Sequence, residues 1–269
     1  MITASNRLLT QALLKRDFNL TLSIPDGRLC PPVPNRLNYV LWIQDILFPF
    51  HRNVPKEPIC GLDIGTGASA IYPLLACSLP NAERWTFVGT EIDALSAQYA
   101  VQNVTANHLE PKITIQHVSR SATDESCVIL IPFNDPKARF DFTMCNPPFY
   151  GSAEEIAESA EMKNLPPNSV CTGAETEMIT LGGEKAFVLQ MIHDSMRDNV
   201  RTRWFTSMVG KLSTIGEIVQ HLRALKIENY ALTQFVQGTT RRWAIAWSFG
   251  IDRLPDVSGS FHLSIPYMT

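Results

Sequence analysis

The most specific chemical motif in the sequence is Cys145-Asn146-Pro147-Pro148-Phe149, which follows a short apolar run. The side chain of Asn146 offers an oxygen that accepts hydrogen bonds. The two prolines fix φ and lack a backbone N–H, so the loop is stiff and presents carbonyl acceptors, and Phe149 offers a flat face for stacking. We interpret the motif as a clamp for a planar group that bears an NH₂, with Asn146, Pro147, Pro148 and Phe149 as candidate catalytic residues. A proline-terminated strand that only packs an aromatic ring is the alternative.

A glycine loop, Asp63-Ile64-Gly65-Thr66-Gly67, precedes this motif in the chain. Gly65 and Gly67 allow a tight turn and a close approach of the backbone to a ligand. The carboxylate of Asp63 would repel a pyrophosphate but suits a cation, which favours S-adenosylmethionine over a nicotinamide dinucleotide. A tight strand-to-helix turn in another kind of α/β protein is an equally good interpretation of this loop taken alone.

An acidic segment, Gly89-Thr90-Glu91-Ile92-Asp93, follows the next apolar run. A carboxylate at this distance after a glycine loop can accept both hydrogen bonds from a ribose diol. Glu91 is the candidate for that role because it directly follows the run, and we expect Asp93 to cap the next helix. The alternative is that both acids are only strand-end and cap residues.

The elements that must position these motifs alternate between strand and helix, which predicts a mostly parallel sheet with helices on both faces. The last two strands, joined by Gly238-Thr239-Thr240, predict a closing β-hairpin. The predicted strands span residues 59–63, 85–90, 112–118, 140–145, 204–209, 230–237 and 242–249, and the predicted helices of the sheet region span 69–78, 94–106, 185–197 and 214–225.

Three regions follow from this pattern. Residues 1–57 are an N-terminal helical extension packed on the core, residues 58–250 are the α/β domain, and residues 251–269 are a C-terminal tail. Within the extension we predict helices at 5–18 and about 37–47, with an irregular proline-rich entry at 31–34 between them. Residues 150–181 form a long connection directly after the Asn-Pro-Pro-Phe motif, and connections of that length are usually functional or disordered.

The composition is that of a globular protein: 269 residues, 45% hydrophobic and 18% charged, with a net charge of −3 and a pI of about 6.1. The charge argues against a surface coated in basic residues and leaves room only for a local basic face. We expect no membrane partner, because no apolar run approaches about 18 residues, and no metal, because no His or Cys spacing is typical of zinc. The basic residues considered for contact with RNA are Arg7, Lys15, Arg16, Arg201, Arg203, Lys211, Arg241 and Arg242.

The combination of Asp-x-Gly-x-Gly with Asn-Pro-Pro-Phe resembles the class I S-adenosylmethionine-dependent methyltransferases that act on exocyclic or amide nitrogen. The wider sequence resembles the methyltransferase-like-sixteen family, which methylates adenine-N6 in U6 snRNA and structured hairpins and is related to a bacterial rRNA adenine-N6 methyltransferase. The segments that carry the closer resemblance are Arg36-Leu-Asn-Tyr39, Asp63-Ile-Gly-Thr-Gly-Ala-Ser69, Ile71-Tyr-Pro-Leu-Leu75, Cys145-Asn-Pro-Pro-Phe149, Gly182-Gly-Glu184, Ile192-His-Asp-Ser195 and Trp243-Ala-Ile-Ala-Trp-Ser-Phe249.

The resemblance implies a Rossmann-like class I methyltransferase fold with a seven-stranded sheet, and transfer of a methyl group to adenosine N6 in structured RNA of the U6 or hairpin type. It implies S-adenosylmethionine as cofactor, S-adenosylhomocysteine as product, a monomer, and a nuclear location with the cytoplasm as a second compartment. Methylation of rRNA adenine, methylation of a protein glutamine, and a non-catalytic RNA-binding role are the alternatives. The expected cofactor-binding residues are Arg36, Asp63, Gly65, Gly67, Glu91, Ser121 and Asn146.

Overall fold

One seven-stranded sheet organises the chain. The computed structural model describes residues 2–51, 58–80, 82–119, 127–162, 173–238, 240–251 and 253–254. The strands are β1 (Ile59–Ile64), β2 (Trp85–Glu91), β3 (Ile113–His117), β4 (Phe142–Cys145), β5 (Trp204–Val209), β6 (Tyr230–Gln237) and β7 (Thr240–Trp247).

The strand order is β3-β2-β1-β4-β5-β7-β6, and the first five strands of the chain pair in parallel. β7 runs antiparallel to both β5 and β6, as the predicted terminal hairpin requires. The chain leaves β1 toward β2 on one side and later returns to β4 on the other. This reversal opens a crevice at the carboxyl ends of β1 and β4, where ligands bind in open α/β sheets. The predicted Rossmann-like fold is confirmed.

Helices cover both faces of the sheet and create two hydrophobic cores. The first core holds side chains of the N-terminal extension, among them Leu14 and Ile43, together with Phe142. The second holds Val188, Ile218 and others beneath the C-terminal helices. The helices are α1 (Ile2–Phe18), α2 (Val33–His51), α3 (Ile71–Ser78), α4 (Ala94–Ala106), α5 (Ala153–Met162), α6 (Glu175–Met178), α7 (Gly183–Ser195) and α8 (Leu212–Ala224), and a short 3₁₀ turn covers Ile131–Asn134.

Two regions differ from the sequence-based prediction. The predicted proline-rich irregular entry is wrong from Val33 onward, since α2 begins there and includes Pro34. Proline is tolerated in the first helical turn because its missing N–H has no intrahelical acceptor at that position. The connection 150–181, for which no helix or strand was predicted, contains α5 and α6, and Tyr150 forms a parallel bridge with Ile179.

Gly61 on β1 is required by the packing of two neighbouring strands. A methyl group built on it would lie 2.7 Å from Phe87 Cε1 and 2.8 Å from Phe142 Cε1, closer than carbon atoms approach. Gly61→Ala should therefore lower the free energy of unfolding by about 2–3 kcal/mol, the usual cost of overpacking a tight core. Chemical denaturation of the purified variant measures this.

The matched control is Gly216→Ala on α8, where nothing lies within 4 Å of the added methyl group. Alanine is a better helix former than glycine, so this variant should gain up to about 1 kcal/mol. Equal stability of the two variants would contradict the packing argument for Gly61.

Within the described ranges, no helix combines the length and the apolar character needed to span a bilayer.

Candidate active site

A cavity of about 430 Å³ opens at the carboxyl ends of β1, β2 and β4. This volume is within the range of small-molecule sites in proteins. Its walls come from the glycine loop, the end of β2, the loop after β4, the segment before α2, and the connection that contains α6. The lining residues include Leu29, Arg36, Gly65, Thr66, Gly67, Glu91, Ile92, Asn146, Pro147, Pro148, Thr176 and Glu177.

The glycine loop turns sharply because both of its glycines adopt left-handed backbone conformations. Gly65 has φ +67° and Gly67 has φ +66°, and Ala70, just before α3, has φ 46°. The loop is tied to the neighbouring strand by Thr66 N, which donates to the Thr90 carbonyl at 2.9 Å. Both predicted glycines line the cavity, and their lack of side chains leaves the backbone open to it.

Glu91 is buried at the end of β2, where its carboxylate accepts three backbone hydrogen bonds. Oε2 accepts from Gly67 N at 2.9 Å, and Oε1 accepts from Ile92 N at 2.8 Å and Asp93 N at 2.9 Å. Burial raises the pKa of this carboxyl, and the backbone donors oppose that shift. As predicted, Asp93 caps α4 by accepting from Ser96 N.

Asp63 lies beneath the glycine loop and is fully buried. Thr66 Oγ1 donates to its Oδ2 at 2.7 Å, and its Oδ1 has no hydrogen-bond partner. Burial raises the pKa of Asp63 to about 7, and the nearby charge of Glu91 adds to this, while Arg36 opposes it. A cation bound nearby would favour the ionised carboxylate. Asp63 is behind the cavity wall and is not one of the lining residues.

Arg36 reaches the cavity from the first turns of α2 although it is only 7% exposed. Its Nη1 donates to the Tyr72 hydroxyl at 3.0 Å, and its guanidinium carbon lies 5.6 Å from the centroid of the Tyr72 ring. A buried guanidinium held in this way is suited to a carboxylate of a ligand.

The Asn-Pro-Pro segment forms the wall opposite Glu91's strand. Asn146 Oδ1 is buried and has no hydrogen-bond partner, so the structure leaves a strong acceptor unused at the cavity. The strand end before it is fixed by Tyr39, whose hydroxyl accepts from Cys145 N at 3.3 Å and lies 2.6 Å from Thr206 Oγ1. Tyr39 was part of the sequence resemblance, but its supporting role depends on a contact 106 residues away in the chain.

Phe149 is placed differently from the other three clamp residues. It is half-buried and is not one of the cavity-lining residues, whereas Asn146, Pro147 and Pro148 are. Its ring packs so closely on Gly210 that a methyl group there would lie 2.9 Å from Phe149 Cδ1. Glu184 fixes Gly210 by accepting from its backbone N–H at 2.6 Å. The guanidinium carbon of Arg242 lies 5.5 Å from the ring centroid, in cation–π range.

The connection 150–181 and the segment before α2 contribute site residues that the sequence did not reveal. Glu177 and Thr176 belong to α6, and Leu29 belongs to the irregular segment before α2. The only signal was the length of the connection 150–181, which predicted function without naming a residue.

Ser121 lies outside the described residues. In the parts of the chain that the structure does describe, no three His, Cys, Asp or Glu side chains are grouped to hold a metal ion.

Several basic candidates are engaged in contacts within the chain. Arg7 pairs with Asp26 at 3.0 Å, Arg16 pairs with Asp17, and Lys211 pairs with Glu155. Exposed ion pairs of this kind contribute little to stability and can be exchanged for other partners. Arg242 differs from these residues because its guanidinium lies over a residue of the Asn-Pro-Pro-Phe motif.

Comparison with known proteins gives a consistent result. A family model described as RNA methyltransferase matches residues 3–251. The U6 small nuclear RNA (adenine-(43)-N(6))-methyltransferase of Schizosaccharomyces pombe is 42% identical over 243 residues, which are 90% of this chain and 60% of that protein. The chain spans about half the length of the curated relatives it matches.

Solved structures match over nearly the whole chain. The human METTL16 catalytic domain in complex with MAT2A 3′UTR hairpin 1 superposes with a TM-score of 0.78 at 38% identity, covering 92% of this chain and 81% of that one. The N-terminal domain of human METTL16 in complex with SAH gives a TM-score of 0.71 at 36% identity, covering 91% of this chain and 82% of that one.

Proposed function

This chain belongs to the RNA methyltransferase family whose model covers residues 3–251, and from that membership we propose that it transfers a methyl group from S-adenosylmethionine to the N6 amine of an adenosine in structured RNA. The observation that carries the proposal is the buried, unpartnered Oδ1 of Asn146 at the cavity wall. The exocyclic N6 amine of adenine would donate the hydrogen bond that this oxygen lacks.

The RNA is proposed to be of the U6 or hairpin type. Support comes from a relative that acts on U6 small nuclear RNA and from a structural neighbour bound to a hairpin.

We extend the proposal to a nuclear location with the cytoplasm as a second compartment, to a monomer, and to a division into an extension (1–57), a catalytic domain (58–250) and a tail (251–269). The extension supplies Arg36 and Leu29 to the cavity, which supports its role as part of the site.

The cavity fits S-adenosylmethionine in its chemistry. Glu91 is suited to a ribose hydroxyl, Arg36 to the carboxylate of the methionine part, and the buried Asp63 to the positive charge of the ligand. Apolar side chains that also line the cavity, including Ile92 and Ile129, are suited to a flat aromatic ring. Gly65 and Gly67 permit close approach of the backbone, as predicted for the loop.

The clamp residues act by orientation. When bound, S-adenosylmethionine supplies a methyl group on a positively charged sulfur. Asn146 Oδ1 and the Pro147 carbonyl each accept a hydrogen bond from one N–H group of the adenine amine. This arrangement favours a pyramidal nitrogen whose lone pair is free for attack. The oxygens of these two carbonyl groups carry partial negative charge, which stabilises the positive charge that develops on this nitrogen. No side chain needs to remove a proton before attack, because the proton can leave afterwards.

The decisive experiment measures transfer of labelled methyl groups to two acceptors, a short hairpin RNA that contains adenosine and a glutamine peptide. We expect labelled N6-methyladenosine in the hairpin and none in the peptide. Labelling of glutamine alone would replace the RNA proposal with the protein alternative, because an amide nitrogen satisfies the same clamp. If neither the hairpin nor the peptide is labelled, the non-catalytic alternative is favoured.

Arg242 is proposed to contact the phosphate backbone of the acceptor nucleotide. Its side chain covers the ring of Phe149, beside Asn146 and the two prolines, and a cation at this position can neutralise a phosphate. Arg242→Gln should weaken hairpin binding about 5-fold at physiological salt and reduce the slope of log affinity against log salt by about one. Fluorescence anisotropy over a salt series measures both quantities.

Arg241→Gln is the matched control. Arg241 is the exposed neighbour on β7, and successive side chains of a strand point to opposite faces. Its replacement should change hairpin affinity by less than about 2-fold. Equal losses for the two variants would show a diffuse charge effect and contradict a specific contact at Arg242.

A further inference from the structure

Glu177 is held against the glycine loop by two separate parts of the chain. Its Oε2 accepts from Ala174 N at 2.8 Å, within its own turn, and from Leu29 N at 3.0 Å, in the segment before α2. The side chain is half-buried and lines the cavity together with Gly67 and Glu91. Because these bonds fix the carboxylate before any ligand binds, little side-chain entropy remains to be lost on binding.

The second oxygen of Glu177 faces the same glycine that Glu91 contacts. Oε1 has no hydrogen bond to any described residue and would lie 3.8 Å from a methyl group built on Gly67. The backbone N–H of Gly67 donates to Glu91 Oε2. Two carboxylates therefore flank one glycine, and Glu177 contributes to the raised pKa of Glu91 through like-charge repulsion, after burial. The guanidinium of Arg28 offsets part of this repulsion, and hydrogen-bond donors of a ligand would offset more of it.

Glu91 has about one acceptor position left for a ribose diol. A carboxylate has about four acceptor positions, and three are used by Gly67, Ile92 and Asp93. A diol presents two hydroxyl donors, so one hydroxyl can be satisfied at Glu91 and the other requires a second acceptor on the same wall. Glu177 Oε1 is an acceptor on that wall without a partner among the described residues.

We propose that Glu177 is a second ribose-binding carboxylate, so that the diol of the cofactor bridges Glu91 and Glu177. The inference rests on the proposed function, since it takes S-adenosylmethionine as the occupant of the cavity. It also assigns a purpose to the connection 150–181, because α6 brings this carboxylate to the cofactor. Through Leu29, the same side chain joins the cofactor site to the N-terminal extension.

The test is a binding cycle by isothermal titration calorimetry with S-adenosylhomocysteine and its 2′-deoxy and 3′-deoxy analogues, which needs no methyl transfer. Glu177→Ala should weaken S-adenosylhomocysteine about 10-fold, as expected for loss of a hydrogen bond to a charged group. For one of the two deoxy analogues the same substitution should have no effect, because the hydroxyl that Glu177 binds is already absent.

Two further variants keep the result interpretable. Glu177→Gln preserves an oxygen for Leu29 N and Ala174 N while replacing the free acceptor with an NH₂, so it should show the same pattern with an intact fold, as judged by thermal melting. Glu175→Ala, an exposed residue of the same helix, should leave all three affinities unchanged.

The outcomes separate the two claims. If the wild-type protein binds S-adenosylhomocysteine and both Glu177 variants weaken all three ligands equally, Glu177 does not contact the diol and this inference is overturned alone. If the wild-type protein does not bind S-adenosylhomocysteine, the proposed function is overturned and the inference with it.

Discussion

Replacing Asn146 by alanine should lower the rate of methyl transfer to a hairpin RNA by about 1,000-fold or more, with cofactor binding still measurable. The physical reason is that Oδ1 is the buried, unpartnered acceptor at the cavity wall. Without it, the adenine amine loses the acceptor that orients its lone pair and matches its developing charge. Removal of one preorganised polar group of this kind typically costs 100- to 1,000-fold in rate, and loss of orientation adds to that.

Single-turnover transfer of labelled methyl groups measures the rate, and calorimetry with S-adenosylhomocysteine measures binding, which should weaken by less than about 10-fold. Asn146→Asp is the informative control, because it keeps an oxygen acceptor of similar size, and it should retain more activity than the alanine variant. Near-native turnover of Asn146→Ala would refute the clamp, whatever the affinity for the cofactor.

The clamp could be predicted from sequence because its parts are adjacent in the chain. Asn146, Pro147 and Pro148 form one rigid loop after a strand, and the parallel sheet brings that loop to the same edge as the glycine loop. The same topology places the two glycines and Glu91. The glycines follow the end of β1, and Glu91 ends β2, the neighbour of β1 in the sheet. Local motifs and a regular topology therefore predicted most of this wall.

Contacts made by irregular segments were not predictable in the same way. Glu177 is held at the cavity in part by Leu29, 148 residues away, whose backbone N–H donates to it. Phe149 was expected to face the cavity, yet its ring packs against Gly210 and beneath Arg242, since β7 lies antiparallel beside β5. These placements depend on how loops pack over one another, which hydrophobic periodicity does not encode.

Glu91→Gln is expected to weaken the binding of S-adenosylhomocysteine about 100-fold. Both carboxylate oxygens of Glu91 accept from backbone N–H groups, Gly67 on one side and Ile92 and Asp93 on the other. Glutamine has one oxygen and one NH₂, so in either orientation a donor must face a donor. The variant loses the charged acceptor for the ribose and also displaces the glycine loop, and an unsatisfied buried donor costs about 1–3 kcal/mol.

This substitution should therefore lower stability and affinity together, which calorimetry and chemical denaturation measure on the same sample. Glu110→Gln, an exposed carboxylate in the turn before β3, makes the same chemical change away from the cavity and should alter neither quantity. An affinity of Glu91→Gln within about 3-fold of wild type would mean that the ribose does not bind at the end of β2. In that case the cofactor would have to lie in another part of the cavity, and the bridge between Glu91 and Glu177 would fail as well.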